Sequence, residues 1–235
     1  MNTLKKNKLN IGLVIADTDE YIQVLNTFGN DLAENSVAGL TSHTVFIEGE
    51  NSDIILKTVC SGIGKVNAAT AAALIADESD IIINAGLSGG FSTAEKYDLV
   101  VGNEFIEHDF DLTAIGYAPS VKPGNEGRLY ADSKLNNDII KKFPFVKSGT
   151  FVTGDSFICT KEKHDALAEM FNPIACDMES AAVAHAAALF GKPFVSVRLI
   201  SDGANDASTD NYSDTLHCDR AGSWLAVTVA WLKTL

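Results

Sequence analysis

The chain has 235 residues, of which 46% are hydrophobic, 21% charged and 8% aromatic, proportions of a globular protein that exclude the disordered and fibrous classes. Its net charge of −13 repels phosphate backbones and anionic lipid over the whole surface, so neither nucleic acid nor a membrane is an expected partner. A neutral or cationic small molecule suits that field better.

From the N-terminus, Lys5, Lys6 and Lys8 precede an apolar run over 9–16 in the manner of a secretion signal. The run is short, ends at Asp17 and leads into no small-residue cleavage site, so it reads as a first β-strand. Further strand-length apolar runs lie at 54–60, 80–85, 99–106, 149–152, 174–176 and 194–200. Several are β-branched and almost uninterrupted, as strands buried on both faces are. Helical patterns lie between them at 66–77, 133–142, 161–170 and 179–190. Near the C-terminus Ala221, Trp224, Leu225, Thr228, Trp231, Leu232 and Leu235 share one face at helical spacing. Two stretches rich in turn formers, 119–127 and 205–213, read as loops, and either could serve as a lid.

This alternation predicts the α/β class: a three-layer α/β/α sandwich around a central mixed, largely parallel sheet. One domain over 1–235 is expected, since a chain of this length buries about 70–75% of its unfolded surface and needs no covalent staples. Cys60, Cys159, Cys176 and Cys218 form no CxxC or zinc spacing, which fits a reduced cytoplasmic protein better than a disulfide scaffold. No segment approaches the roughly 20 apolar residues of a membrane helix.

In open α/β sheets ligands bind beyond the carboxyl ends of the strands, and the positions just past the predicted strands of this chain are rich in acids. Asp17, Asp19 and Glu20 come after the first strand, Asp177 and Glu179 after the 174–176 strand, and Ser201 and Asp202 after the 194–200 strand. Gly86 and Gly89-Gly90 come after the 80–85 strand, and Phe157 shortly after Gly154. Any one acid alone reads first as a helix cap or a first-turn residue favoured by the dipole. Three acidic sites converging on one cleft point to chemistry instead. In a partly dry cleft carboxyl pKa values rise, so one group can donate a proton while another deprotonates water.

Other motifs carry less. Gly62-Ile63-Gly64-Lys65 opens a helix like a phosphate loop, but Val59 and Val66 stand where a Walker sequence has Gly and Ser or Thr, so a tight turn is expected. Gly86-Leu87-Ser88-Gly89-Gly90 matches the G-x-S-x-G elbow of serine hydrolases, with Asp202 and His217 in the right order, yet no helix comes directly after it. His108-Asp109-Phe110-Asp111 lacks a second histidine for a metal site, and a hydrogen-bonded structural role is expected. His185, in an alanine-rich helix, reads as a core or interface residue.

Seven segments in order carry a stronger signal: Ile11-Gly12 leading to Asp19-Glu20, the Ser61 to Ala68 run, Asn84-Ala85-Gly86 with Gly89-Gly90, His108 to Ala114 with Gly116-Tyr117, the Gly154 to Ile158 run, the Asp177 to Ala181 run, and Arg198 to Asp202. Together they resemble the nucleoside phosphorylase/nucleosidase superfamily, and within it the 5'-methylthioadenosine/S-adenosylhomocysteine nucleosidases, over nearly the whole chain. The resemblance implies a nucleoside phosphorylase-like fold and hydrolysis of an adenine nucleoside's glycosidic bond, without metal or organic cofactor. Asp202, oriented by Ser201, would protonate adenine N7. Glu20 would deprotonate the attacking water, and Glu179 would hold the ribose hydroxyls. Phe157 would stack on adenine, the Ile158 backbone would read its edge, Met178 would pack beside the ribose, and Arg198 and Leu87 would lie near it. A homodimer is implied, with Leu112, Ile115 and Tyr117 covering the alkylthio end from a neighbouring subunit and Tyr212 from the same chain.

Phosphorolytic members of that superfamily carry arginines after the first strand and near the Gly-Gly turn, whereas this chain has Asp17, Asp19 and Glu20, and Leu87 and Ser88, in those regions. Carboxylates there repel phosphate and favour water. The chain departs from many nucleosidases at Ile15, Asp17, Leu87 and Asp177, where they have Gly, Met, Ser and Glu. Asp17 and Leu87 map close to the ribose and leave the preferred 5' substituent open among methylthioadenosine, adenosylhomocysteine, deoxyadenosine and a futalosine-type nucleoside. A purine nucleoside phosphorylase and a non-catalytic nucleoside-binding protein of the same fold are the alternatives. Adenine release, with and without phosphate, separates the three.

Overall fold

The computed structural model describes residues 6–91, 93–124 and 126–235; Lys5 of the basic N-terminal group and Asn125 of the 119–127 loop lie outside them. The first half of the chain forms β1 (Asn7–Ile15), α1 (Thr18–Phe28), β2 (Ala33–Val37), β3 (Leu40–Ile47), β4 (Ser52–Cys60), α2 (Lys65–Ala76), β5 (Ile81–Gly90) and β6 (Leu99–Glu107). The second forms β7 (Arg128–Tyr130), α3 (Ser133–Lys142), β8 (Lys147–Thr153), α4 (Lys161–Phe171), β9 (Ala175–Asp177), α5 (Ser180–Leu189), β10 (Phe194–Asp202), α6 (Ser208–Leu216) and α7 (Ser223–Leu232).

All ten strands join one sheet. Its centre is parallel: β1 pairs with β4 from Asn7↔Ser52 to Ile15↔Cys60, with β5 from Ile11↔Ile81, and β5 pairs with β10 from Ile82↔Phe194. β6, β8 and β9 are also mutually parallel. β9 then turns back antiparallel onto β5 at Gly89↔Cys176, while β6 pairs antiparallel with β10. Strands β10, β6, β8, β9 and β5 therefore close a ring, which draws the carboxyl ends of β5, β9 and β10 together. Antiparallel β2 and β3 extend the opposite edge, and β7 is added to β6. The sheet is mixed, and parallel along its long central pairings.

Side chains alternate between the two faces of each strand. Ile11, Leu13 and Ile15 of β1 join Tyr21 and Val24 of α1, Ile139 of α3, and Trp224, Leu225 and Trp231 of α7 in one cluster. Val14 points the other way, where Ala68, Ala71, Ala72 and Ile75 of α2 meet Ala181, Val183, Ala184 and Ala187 of α5. The alanines let α2 and α5 lie close to the sheet and to each other, and Gly12 leaves no room for more, since a Cβ there would stand 2.8 Å from Ile75 Cδ1. Helices thus cover both faces, giving the expected three layers.

The structure differs from the sequence expectation in several places. β5 and β10 run on to Gly90 and Asp202, so Gly86, Gly89, Ser201 and Asp202 are strand residues rather than residues beyond strands. The expected 205–213 loop becomes helical from Ser208. Tertiary anchoring overrides its turn-forming composition there, for Ser208 and Thr215 are buried and Thr215 Oγ1 lies 3.0 Å from the Ser201 carbonyl. Helix α1, the β2–β3 hairpin and β7 are absent from the sequence expectation, although Tyr21, Val24, Leu25 and Phe28 of α1 stand at helical spacing.

Candidate active site

A cavity of about 340 Å³ opens where β1, β5, β9 and β10 end. Asp17 caps α1, its Oδ1 accepting the Asp19 N–H at 2.9 Å, and this first turn carries Glu20 to the cavity wall. Glu20 Oε1 accepts the Leu87 N–H at 2.7 Å. Burial pushes its pKa up to about 8, although the nearby Arg198 guanidinium works against the rise. Asp19 faces solvent instead.

Glu179 stands between β9 and α5, its Oε1 accepting the Gly64 N–H at 3.0 Å and its Oε2 lying 3.5 Å from Arg198 Nη2. Burial raises its pKa as well, again opposed by Arg198. Asp202, at the end of β10, is buried with both oxygens held: Ser201 Oγ donates to Oδ2 at 2.6 Å and the Ala204 N–H to Oδ1 at 2.8 Å. All three carboxylates line the same cavity.

Asp177 lines it too, but its oxygens are committed to the scaffold. Oδ1 accepts from Thr153 Oγ1, Glu179 N–H and Ser180 N–H, and Oδ2 lies 3.1 Å from Arg198 Nη2. Arg198 is only 1% exposed and does not reach the cavity wall. It lies behind the acids, with Nη2 2.5 Å from Asn84 Oδ1, as the counter-charge that makes their burial tolerable. Arg198, expected near the ribose, holds Asp177 and Glu179 at the back of the cavity wall.

Phe157, Ile158, Met178, Leu87 and Tyr212 all line the cavity. Phe157 is 41% exposed and meets Tyr212 edge-on at 5.8 Å, so one ring face is free for a flat ligand. The Tyr212 hydroxyl donates to Asp17 Oδ2 at 3.0 Å, and burial and the neighbouring acids keep the phenol protonated. Leu112, Ile115 and Tyr117 lie away from this cavity, with Ile115 69% exposed. Ala16, Ile63, Ser156 and Cys176 also line it. Ile63 and Ser156 belong to motif runs named from the sequence, whereas Ala16 and Cys176 have only their adjacency to Asp17 and Asp177 as a signal.

The competing motifs resolve structurally. The N–H groups of Gly64 and Lys65, where α2 begins, are taken by Glu179 and by Asp155 Oδ1, not left for a phosphate. Ser88 lies within β5 and donates to the Cys176 carbonyl at 2.6 Å, while His217 Nδ1 is 2.7 Å from the Ser213 carbonyl, so no hydrolase triad forms. Asp109 pairs with Lys65 Nζ at 2.5 Å, and Asp111 accepts the Thr113 N–H.

Among the described residues no lysine or arginine lines the cavity. Its excess of carboxylates stabilises a transition state that gains positive charge and repels an anionic nucleophile.

Known proteins resemble this chain over nearly its whole length. The phosphorylase superfamily profile matches residues 10–225. A 5'-methylthioadenosine/S-adenosylhomocysteine nucleosidase from Exiguobacterium is 36% identical over 94% of this chain and 97% of its own length. The Streptococcus pneumoniae MTA/SAH nucleosidase, solved with 8-aminoadenine, superposes with a TM-score of 0.86 at 30% identity, covering 97% of this chain and 100% of that one. The futalosine hydrolase of Helicobacter pylori superposes with a TM-score of 0.83 at 26% identity, covering 94% and 97%.

Proposed function

Because the chain belongs to the phosphorylase superfamily, and within it to the 5'-methylthioadenosine/S-adenosylhomocysteine nucleosidases, we propose that it hydrolyses the N-glycosidic bond of those nucleosides by the chemistry of its three cavity carboxylates. The observation that carries this reading is the meeting of Glu20, Glu179 and Asp202 in one cavity without a lining lysine or arginine.

Asp202, fixed by Ser201 and the Ala204 N–H, delivers a proton to adenine N7, so that the base leaves neutral when the bond to C1' breaks. The ribosyl group then carries positive charge, which Glu20 and Glu179 stabilise from within a low-dielectric pocket. Once ionised, Glu20 takes a proton from water as its oxygen bonds to C1', and the pKa of about 8 that burial gives it makes it a stronger base than a free carboxylate. Glu179 accepts the ribose hydroxyls, Phe157 stacks on the base and the Ile158 backbone reads its edge. Met178 and Leu87 pack beside the sugar. The products are adenine and the thioribose, and water is the second substrate, so the reaction calls for no metal or organic cofactor.

The activity belongs to one domain spanning 1–235, working as a homodimer in the cytoplasm and returning the methylthio group to methionine salvage. Four free cysteines suit a reducing compartment. The exposed Ile115 and Tyr117, with half-buried Leu112 beside them, support the dimer as apolar cover for a neighbouring cavity. The decisive test is incubation with 5'-methylthioadenosine, with and without phosphate. Adenine and free methylthioribose in both conditions are expected; a sugar 1-phosphate formed only with phosphate overturns the role of Glu20.

A further inference from the structure

Asp17 caps α1, yet it also lines the cavity. Its Oδ1 accepts the Asp19 N–H at 2.9 Å and lies 3.4 Å from Thr18 Oγ1, while Oδ2 accepts the Tyr212 hydroxyl at 3.0 Å. A carboxylate offers about four lone-pair positions, so Oδ2 keeps one beyond Tyr212. Among the described residues no lysine, arginine or histidine forms an ion pair with Asp17. Here is a half-buried carboxylate with spare acceptor capacity, held in place from across the cavity by a tyrosine on another helix.

On the nucleosidase reading, the base lies toward Asp202 and Ile158, the hydroxyls toward Glu179 and the water toward Glu20. Asp17 and Tyr212 form the polar wall that remains for the 5' arm. We infer that Asp17, presented by Tyr212, is a specificity-determining residue that favours adenine nucleosides whose 5' arm carries a hydroxyl or ammonium donor over those with a bare thioether arm. A thioether would cover the carboxylate and strip it of water without returning a hydrogen bond, which is costly for a charged group. A hydroxyl or ammonium restores the bond, and the ammonium adds charge attraction. Sites built to bond a substrate donor discriminate strongly against analogues that lack it.

The test compares kcat/KM for 5'-amino-5'-deoxyadenosine, adenosine and 5'-methylthioadenosine in the wild type, Asp17→Asn and Asp17→Met. Because two kcat/KM values from one preparation share the same folded fraction, their ratio is unaffected by any loss of the helix cap. The expected result is a wild-type preference for the amino and hydroxyl arms. The amino-to-methylthio ratio should fall about tenfold or more in Asp17→Met, by analogy with other donor-selective sites, and Asp17→Asn should lose the ammonium preference first. A wild type that prefers the methylthio arm, or a ratio equal in wild type and Asp17→Met, overturns the role of Asp17 while turnover leaves the nucleosidase reading intact. Adenine released from none of the three overturns the reading itself, and this inference with it.

Discussion

Glu20 and Asp202 carry the same functional group, and on the proposed mechanism their surroundings divide the labour. Asp202 is clamped by two donors in a buried pocket, which fixes how its carboxyl faces the cavity. Asp202→Asn keeps the shape and loses the acid, so kcat should fall by roughly 10²–10⁴-fold while the nucleoside still raises the melting temperature; near-normal turnover would refute the acid role. Glu20 is marked instead by its environment, with burial lifting its pKa from 4.5 to about 8. Between those values the folded chain holds a proton that the unfolded chain has released. The stability this group contributes is full below about pH 4.5 and is lost as pH rises to about 8. Glu20→Gln does not titrate, so the melting temperature of the variant minus that of the wild type should climb from pH 5 to pH 8 and level off above. Each pKa unit is worth about 1.4 kcal/mol, or about 2–4 °C per kcal/mol in a chain of this size. A difference independent of pH, measured by thermal unfolding in matched buffers, would show that Glu20 titrates normally.

At the scale of elements, β5 is the strand over which the site is assembled. Gly86 lies opposite Arg198 in the β5–β10 register, and a Cβ there would stand 2.5 Å from Glu20 Oε2 and 2.9 Å from Arg198 Nη1. The missing side chain leaves room against the strand for both the Glu20 carboxylate and the Arg198 guanidinium. Gly86→Ala should therefore displace Glu20 and lower kcat/KM by about 100-fold, the usual cost of misplacing a catalytic group by an ångström, with the circular dichroism spectrum unchanged. Unaltered kcat/KM would mean that the site tolerates the shift. The central strands are legible in the sequence because burial on both faces leaves unbroken β-branched runs such as Ile81 to Ile83. Helix α1 is overlooked because the convergence of acids outweighs their capping signal, although Asp17 is both cap and cavity wall. Edge strand β2, Ala33–Val37, is mostly exposed and lacks the apolar alternation that marks a half-buried strand. Helix α6 is masked by Asn, Asp and Ser, whose local preference for turns yields to the anchoring of Thr215 beside β10. The site acids are visible as residues at the ends of strands. The role of Arg198 is not, because a buried counter-charge is defined by contacts with Asn84, Asp177 and Glu179 that are distant from Arg198 in sequence.

For the molecule as a whole, a charge of −13 and an acid-rich cavity set a field that suits a neutral nucleoside passing through a cationic transition state. One chain leaves that cavity incompletely covered, with Ile63 51% and Phe157 41% exposed at its wall. The same chain displays Ile115 at 69% and Val66 at 77% exposure without burying either. In a two-fold dimer each such residue is buried twice, since both subunits present the same patch, and each buried isoleucine is worth about 1.5–3 kcal/mol. Light scattering should therefore give twice the 25.0 kDa of one chain. If the proposed homodimer buries Ile115, Ile115→Asp places a carboxylate in both halves of that interface and should shift the mass toward one chain. Its kcat/KM for 5'-methylthioadenosine should fall with it, because the apolar cover over the alkylthio end leaves with the partner. A wild type that is monomeric at assay concentration and fully active would show that a single chain completes its own site, and would remove Leu112, Ile115 and Tyr117 from the substrate-binding set.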